Sequence, residues 1–171
     1  RRQRQMCIRD SYKSFVEEAS FSMVAAPKQK GLDYSLMKTK IKGKEIKGLS
    51  SSVIYGPNAA GKTNIIGAMD VLRAIVLRGN IRNSEEKSSP NPAAATLELI
   101  PNNSEMESKP VCFEIEFYEE DGENHKFKIH YELEVDLGTF LEEEYQRKIL
   151  AEVLEVNGER VFAVSYTHLR A

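Results

Sequence analysis

Gly56-Pro57-Asn58-Ala59-Ala60-Gly61-Lys62-Thr63 is the stretch on which the reading of this chain turns. It matches G-x-x-x-x-G-K-[ST], the P-loop pattern. Glycines at its two ends let the backbone curl until several N–H groups point inward, where phosphate oxygens can accept from them. A helix that starts at the loop adds its positive N-terminal end. In this pattern Lys62 places an ammonium on the β- and γ-phosphates, and the Thr63 hydroxyl is a hard oxygen ligand for Mg²⁺. The motif needs a strand before it and a helix after it. Upstream, Leu49-Ser50-Ser51-Ser52-Val53-Ile54-Tyr55 is a β-favouring run. Downstream, residues 62–77 carry Ile65, Ile66, Ala68, Met69, Val71, Leu72, Ala74, Ile75, Val76 and Leu77. That predicts a helix over 62–78, apolar nearly all round and buried on most faces, with Gly79-Asn80 as its stop.

Further upstream, residues 12–23 read as one or two short strands. Residues 28–47 hold seven lysines, Lys28, Lys30, Lys38, Lys40, Lys42, Lys44 and Lys47, with Lys42-Gly43-Lys44 as a turn between two polar strands. Beyond the helix, residues 83–92 are polar, contain proline and read as a loop. The period then changes. Residues 96–100, 111–118, 126–135 and 151–156 alternate apolar and polar side chains. Phe113, Ile115 and Phe117 share one face, as do Phe127, Ile129, Tyr131, Leu133 and Val135. Period two over such lengths predicts strands of an antiparallel sheet with one wetted face. Asp121-Gly122 and Asn157-Gly158 fall between these runs, where hairpin turns need positive φ. Glu142-Glu143-Glu144 reads as a solvated helix start, and there is no internal repeat.

Composition bounds the rest. The chain has 171 residues, 41% hydrophobic and 29% charged, with a formal net charge of −2. A core is within reach, and disorder is not the default. No basic excess points to a dominant nucleic-acid field. No apolar run reaches the ~18–20 residues that span a bilayer. Two cysteines without a secretory signal exclude a disulfide scaffold and favour a reducing, cytoplasmic setting.

Both ends resemble something other than protein. RRQRQMCIRDS at the start and VSYTHLRA at the end are similar to translated sequencing-library adapter of the transposon-tagging kind. Residues 1–11 and 164–171 are accordingly expected to be adapter-derived and not native, and they are set aside from the fold reading. What lies between, 12–163, is expected to be an internal fragment of a longer reading frame. These ends hold Arg1, Arg2, Arg4, Arg9 and Arg170 against Asp10, so the remainder has 19 basic and 25 acidic residues, a net −6. Cys7 and His168 leave with them. Cys112 reads as a small core residue. His125 and His130, five apart on one strand, point to opposite faces and cannot clamp one metal. A protein-built zinc site therefore has little support.

The loop also carries a resemblance. With Asn58 and Asn64, Gly-Pro-Asn-Ala-Ala-Gly-Lys-Thr-Asn is similar to the loop of ABC-type ATPases, above all the heads of RecF and the structural-maintenance-of-chromosomes proteins, where G-x-N-x-x-G-K-[ST]-N is usual. Tyr12-Lys13-Ser14-Phe15 resembles the N-[FY]-[RK]-S-F first strand of that group. Ile149-Leu150-Ala151-Glu152-Val153-Leu154, with the later Asn157-Gly158 and Arg160-Val161-Phe162, resembles a stretch of bacterial AAA family ATPases of the AAA-15/AAA-21 type, ABC-like in fold. The resemblance implies an α/β P-loop NTPase: an ABC-ATPase-like N-terminal lobe, truncated, with an antiparallel β-subdomain over 94–162. It implies ATP and Mg²⁺ as cofactors, held by Gly56, Asn58, Ala59, Ala60, Gly61, Lys62, Thr63 and Asn64, with Thr63 on the metal. It also implies that Lys13 lines the nucleotide site. Ala59 and Ala60 replace the Gly-Ser pair of many relatives, which keeps the backbone donors and loses a hydroxyl.

By the same resemblance, hydrolysis requires a signature motif, an apolar strand ending in Asp-Glu and a switch histidine. No run after Lys62 has that form. Val135-Asp136 ends an alternating strand, and Gln146, the candidate for a Q-loop glutamine, follows an acidic cluster as surface residues do. No catalytic base is assigned. The function expected is ATP binding and, in the intact protein, hydrolysis by heads that dimerise around MgATP. Alternatives are a regulatory module that binds nucleotide without hydrolysing it, a DNA-associated repair or phage-defence ATPase using the 28–47 lysines on phosphates, and a P-loop GTPase or kinase. Edge-strand lysines also guard against aggregation. No membrane partner is expected.

Overall fold

The register of two long strands builds the fold. In the computed structural model, which describes residues 2–9, 12–15, 18–26, 31, 33–58, 60–79, 81, 100, 109–138 and 147–166, β5 is Val111–Glu120 and β6 is Lys126–Asp136. They pair antiparallel with Val111 opposite Val135, Phe113 opposite Leu133, Ile115 opposite Tyr131 and Phe117 opposite Ile129. Because side chains alternate with period two, this one register puts every apolar pair on the same face. Glu114, Glu116, His130 and Glu132 go to the other.

Four more strands extend the sheet. β1 (Arg2–Arg9) and β2 (Ala19–Ser22) lie on one side; β7 (Lys148–Val156) and β8 (Glu159–Ser165) lie on the other. The order is β2-β1-β5-β6-β7-β8, all antiparallel. A separate hairpin joins β3 (Leu36–Ile41) to β4 (Lys44–Leu49). The two central residues of its turn, Lys42 and Gly43, have φ +47° and +79°. Asn157 and Gly158, at +56° and +82°, close β7 onto β8 the same way. Both φ > 0 is the backbone that matches the twist of flanking strands.

The helix α1 (Lys62–Arg78) lies on the apolar face. Ala68, Val71, Leu72 and Ile75, spaced i, i+3, i+4, i+7, are buried against Met6, Ile8, Val111, Phe113, Leu133 and Val135. It ends at Gly79, left-handed at φ +68°, whose N–H closes on the Ile75 carbonyl at 2.8 Å.

Several expectations are corrected. No strand enters the P-loop: β4 stops at Leu49 and residues 51–56 are irregular. Val53 and Tyr55 are 81% and 89% exposed. β-propensity reports fit to a pleated, half-buried surface, and none of the described strands runs beside these residues. The sheet is thus antiparallel, with no parallel pair among the described residues. Burial of α1 on most faces also fails. One sheet face covers one stripe, and Ile66, Val76 and Leu77 stay more than half exposed. At 121–125 the positive φ falls on Asn124 (+62°) rather than on Asp121-Gly122. The Asp121 carboxylate takes the N–H groups of Glu123 and His125 at 2.9 and 2.8 Å and so shapes a longer loop.

Parts of both terminal segments lie in strands, while residues 1, 10, 11 and 167–171 lie outside the described residues. Met6, Cys7 and Ile8 of β1 are buried, and β1 joins β2 to β5. Val164 and Ser165 complete β8 opposite Glu152 and Ala151. Met6, Cys7 and Ile8 are all buried, so this strand is covered on both faces where it pairs with β2 and β5. Lys28, Lys30, the 83–92 loop, residues 96–99 of the first expected strand, Glu142-Glu143-Glu144 and Gln146 lie outside the described residues.

Candidate functional site

The phosphate-binding motif sits at the start of α1. Gly61 is the N-cap, left-handed at φ +78° and ψ 8°, and no side chain caps the helix. Most helices use a Ser, Thr, Asp or Asn side chain to satisfy the first N–H groups. Here a glycine takes that position, so the first turn presents backbone donors and the positive helix end to whatever approaches. Asn64 N–H turns back to the Gly61 carbonyl at 3.0 Å, and Ala60 N–H to Pro57 at 3.4 Å. These bonds hold the loop in its curl.

Lys62 folds over the loop. Its ammonium donates to the carbonyl oxygens of Gly56 (2.8 Å) and Pro57 (2.5 Å). Thr63 and Asn58 are exposed at the same end of the helix. Gly56 has open space around it and no positive φ. Of the two motif glycines, therefore, only Gly61 needs to be glycine for its conformation. Ala59 lies outside the described residues.

A second segment closes against the loop. Tyr12 and Phe15 form an isolated bridge, with the Phe15 N–H on the Tyr12 carbonyl at 2.9 Å and Lys13 at φ +49°. The Ser14 hydroxyl accepts from the Asn64 side-chain amide at 2.7 Å. A Cβ on Gly61 would stand 3.1 Å from that hydroxyl oxygen and 3.5 Å from the Phe15 ring. In sequence, the resemblance of this tetrapeptide points to Lys13 rather than to Ser14. The Lys13 ammonium lies 3.6 Å from where a Cβ on Gly67 would be. That is ~7 Å along the helix from Lys62 at 1.5 Å per residue. Ser14 and Phe15 are the members that stand against Gly61. Only the tertiary fold brings positions fifty apart together.

Two other clusters bear on the expectations. Glu114, His130 and Glu132 bring ligand atoms within 4.8 Å of one another, and His130 Nε2 lies 2.9 Å from Glu132. They share the sheet face opposite the helix, so two carboxylates and one imidazole converge where histidine spacing alone gave no sign. His125 is elsewhere, in the 121–125 loop, with Nδ1 2.9 Å from Asp121. Desolvation pushes the Asp121 carboxyl up, but the hydrogen bonds of His125 and Glu123 together hold it below its ordinary value. On the hairpin, Lys38 stands opposite Lys47 in register. Lys38 pairs with Asp33 at 2.7 Å and Lys47 with Glu45 at 3.6 Å, so that strip is not a bare basic surface. No helix among the described residues is long and apolar enough to cross a membrane.

Searches of curated proteins and of solved structures each found no match. A family model does match. The one described as "AAA domain, putative AbiEii toxin, Type IV TA system" covers residues 51–157, well over half of the chain, including the loop, α1, β5, β6 and β7. A glycine-capped helix, an ammonium folded over the loop before it, and this match lead to one identification: the chain belongs to that AAA domain family of P-loop ATPases.

Proposed function

We propose that the loop and the first turn of α1 bind the phosphates of MgATP. The observation that carries this is the helix start itself. It has a left-handed glycine cap, no capping side chain, and Lys62 poised over the loop on two carbonyls. A polyphosphate would accept from the first-turn N–H groups and draw the Lys62 ammonium off the Gly56 and Pro57 carbonyls. The Thr63 hydroxyl would complete a Mg²⁺ site, and the metal would neutralise charge on the β- and γ-oxygens.

In the intact protein we read this chain as part of an ABC-like head that closes on a second head around MgATP and hydrolyses it. The exposed Val53, Tyr55, Ile66, Val76 and Leu77 support further structure packing near the loop and helix. The binding claim is tested by titrating MgATP into the wild-type chain and Lys62→Ala. Equal affinities, or no binding by either, would overturn it.

A further inference from the structure

We infer that Ser14 is a positioning residue for the phosphate-binding loop, holding the first turn of α1 through Asn64; the inference rests on the nucleotide reading above for its consequence, but not for its geometry. Ser14 belongs to a turn fixed from three sides. Tyr12 is fully buried, and its ring meets Phe113 of β5 edge-on. The Lys13 N–H donates to the Ile100 carbonyl at 3.0 Å. Phe15 packs against the core cluster. The turn is therefore an extension of the core, and its one outward hydroxyl meets the Asn64 amide at 2.7 Å.

Asn64 is the third residue of α1. Its backbone N–H already closes on Gly61, so a bond at its side chain fixes the orientation of that whole turn. The same hydroxyl lies against Gly61, where an added Cβ would be only 3.1 Å away. Ser14 thus restrains the loop at two adjoining points, the left-handed glycine and the third helical residue. The N–H groups between them, of Lys62 and Thr63, are those that would face a phosphate. The Asn64 amide, which the resemblance places on the nucleotide, is engaged here by the Ser14 hydroxyl.

The test has two arms. Amide hydrogen exchange is measured on the chain without nucleotide for wild type, Ser14→Ala, Asn64→Ala and the double variant. Exchange should quicken over residues 58–66 in all three variants, no further in the double than in the singles, with β5 and β6 unchanged. Unchanged exchange over 58–66, or quickening spread equally over β5 and β6, would overturn the inference. In the second arm, MgATP affinity should fall ~3- to 10-fold in each single variant, the size of one lost hydrogen bond, without adding in the double. Additive losses would mean that the two residues act separately. If the wild-type chain binds no MgATP, the nucleotide reading falls, and the exchange arm still decides whether Ser14 holds the loop.

Discussion

The ring of Tyr12 meets the ring of Phe113 edge-on, with centroids 5.5 Å apart and planes at 72°. Both residues are 0% exposed. This contact joins the turn beside the P-loop to the centre of the sheet, so the site and the core share one support. Tyr12→Ala removes a fully buried aromatic and should cost about 3–5 kcal/mol. Tyr12→Phe keeps the ring and should cost far less. Urea denaturation followed by circular dichroism measures both; a Tyr12→Ala loss under 1 kcal/mol would refute the shared support.

Lys62→Ala separates binding from folding. The lysine's two bonds go to exposed loop carbonyls, and such bonds contribute little to stability. The denaturation midpoint should stay close to wild type while MgATP affinity drops by at least tenfold. A variant that unfolds early would show that the ammonium holds the loop together rather than waiting for phosphate.

Gly61 and Gly79 cap the two ends of α1 at similar positive φ, +78° and +68°. Alanine at Gly79 meets open space, so it should cost only the left-handed backbone, ~1–2 kcal/mol. Alanine at Gly61 has the same strain and also presses on Ser14 and Phe15. It should cost more and should weaken MgATP binding, whereas Gly79→Ala should not. Parallel melts and titrations of the two variants decide it.

The alkaline limb of stability should be set in part by Tyr131. Its hydroxyl donates to Glu152 Oε1 at 2.7 Å. Desolvation, then the hydrogen bond and negative charge of Glu152, push the phenol well above its ordinary value of 10.0. The folded state therefore keeps this proton more tightly than the unfolded chain. The contribution is whole below pH ~10 and is lost as pH rises above it, because the unfolded chain ionises first. Tyr131→Phe should flatten the loss between neutral pH and pH ~11 in equilibrium unfolding. An unchanged slope would show that the phenol does not govern it.

Much of this was legible in sequence because it is local. The alternation over Val111–Glu120 and Lys126–Asp136 can be satisfied only by paired strands, since a one-residue slip would put Phe113 and Leu133 in water. Asn157-Gly158 and Lys42-Gly43 are turns because few residue pairs accept two positive φ angles. The helix over Lys62–Arg78, its glycine stop and the G-x-x-x-x-G-K-T pattern follow from spacing and composition. Even the donors of the candidate site are written there, because backbone N–H groups at a helix start need no partner from afar.

Tertiary structure alone decided what each local preference was worth. The run before Gly56 favours strand, yet no described strand runs beside it, and a strand exists only through its neighbour. The opening residues look unpromising, yet β5 offers an open edge, and Met6 and Ile8 fill the core beneath it. The helix is apolar nearly all round, but which stripe is buried depends on where the six-stranded sheet lies. Ser14 and Asn64 are fifty positions apart, and nothing in either stretch announces the other. Their 2.7 Å bond exists because Tyr12 is driven into the core beside Phe113 and carries its turn up against the first residues of α1. Sequence sets the preferences of short segments; burial of the shared apolar face selects among them.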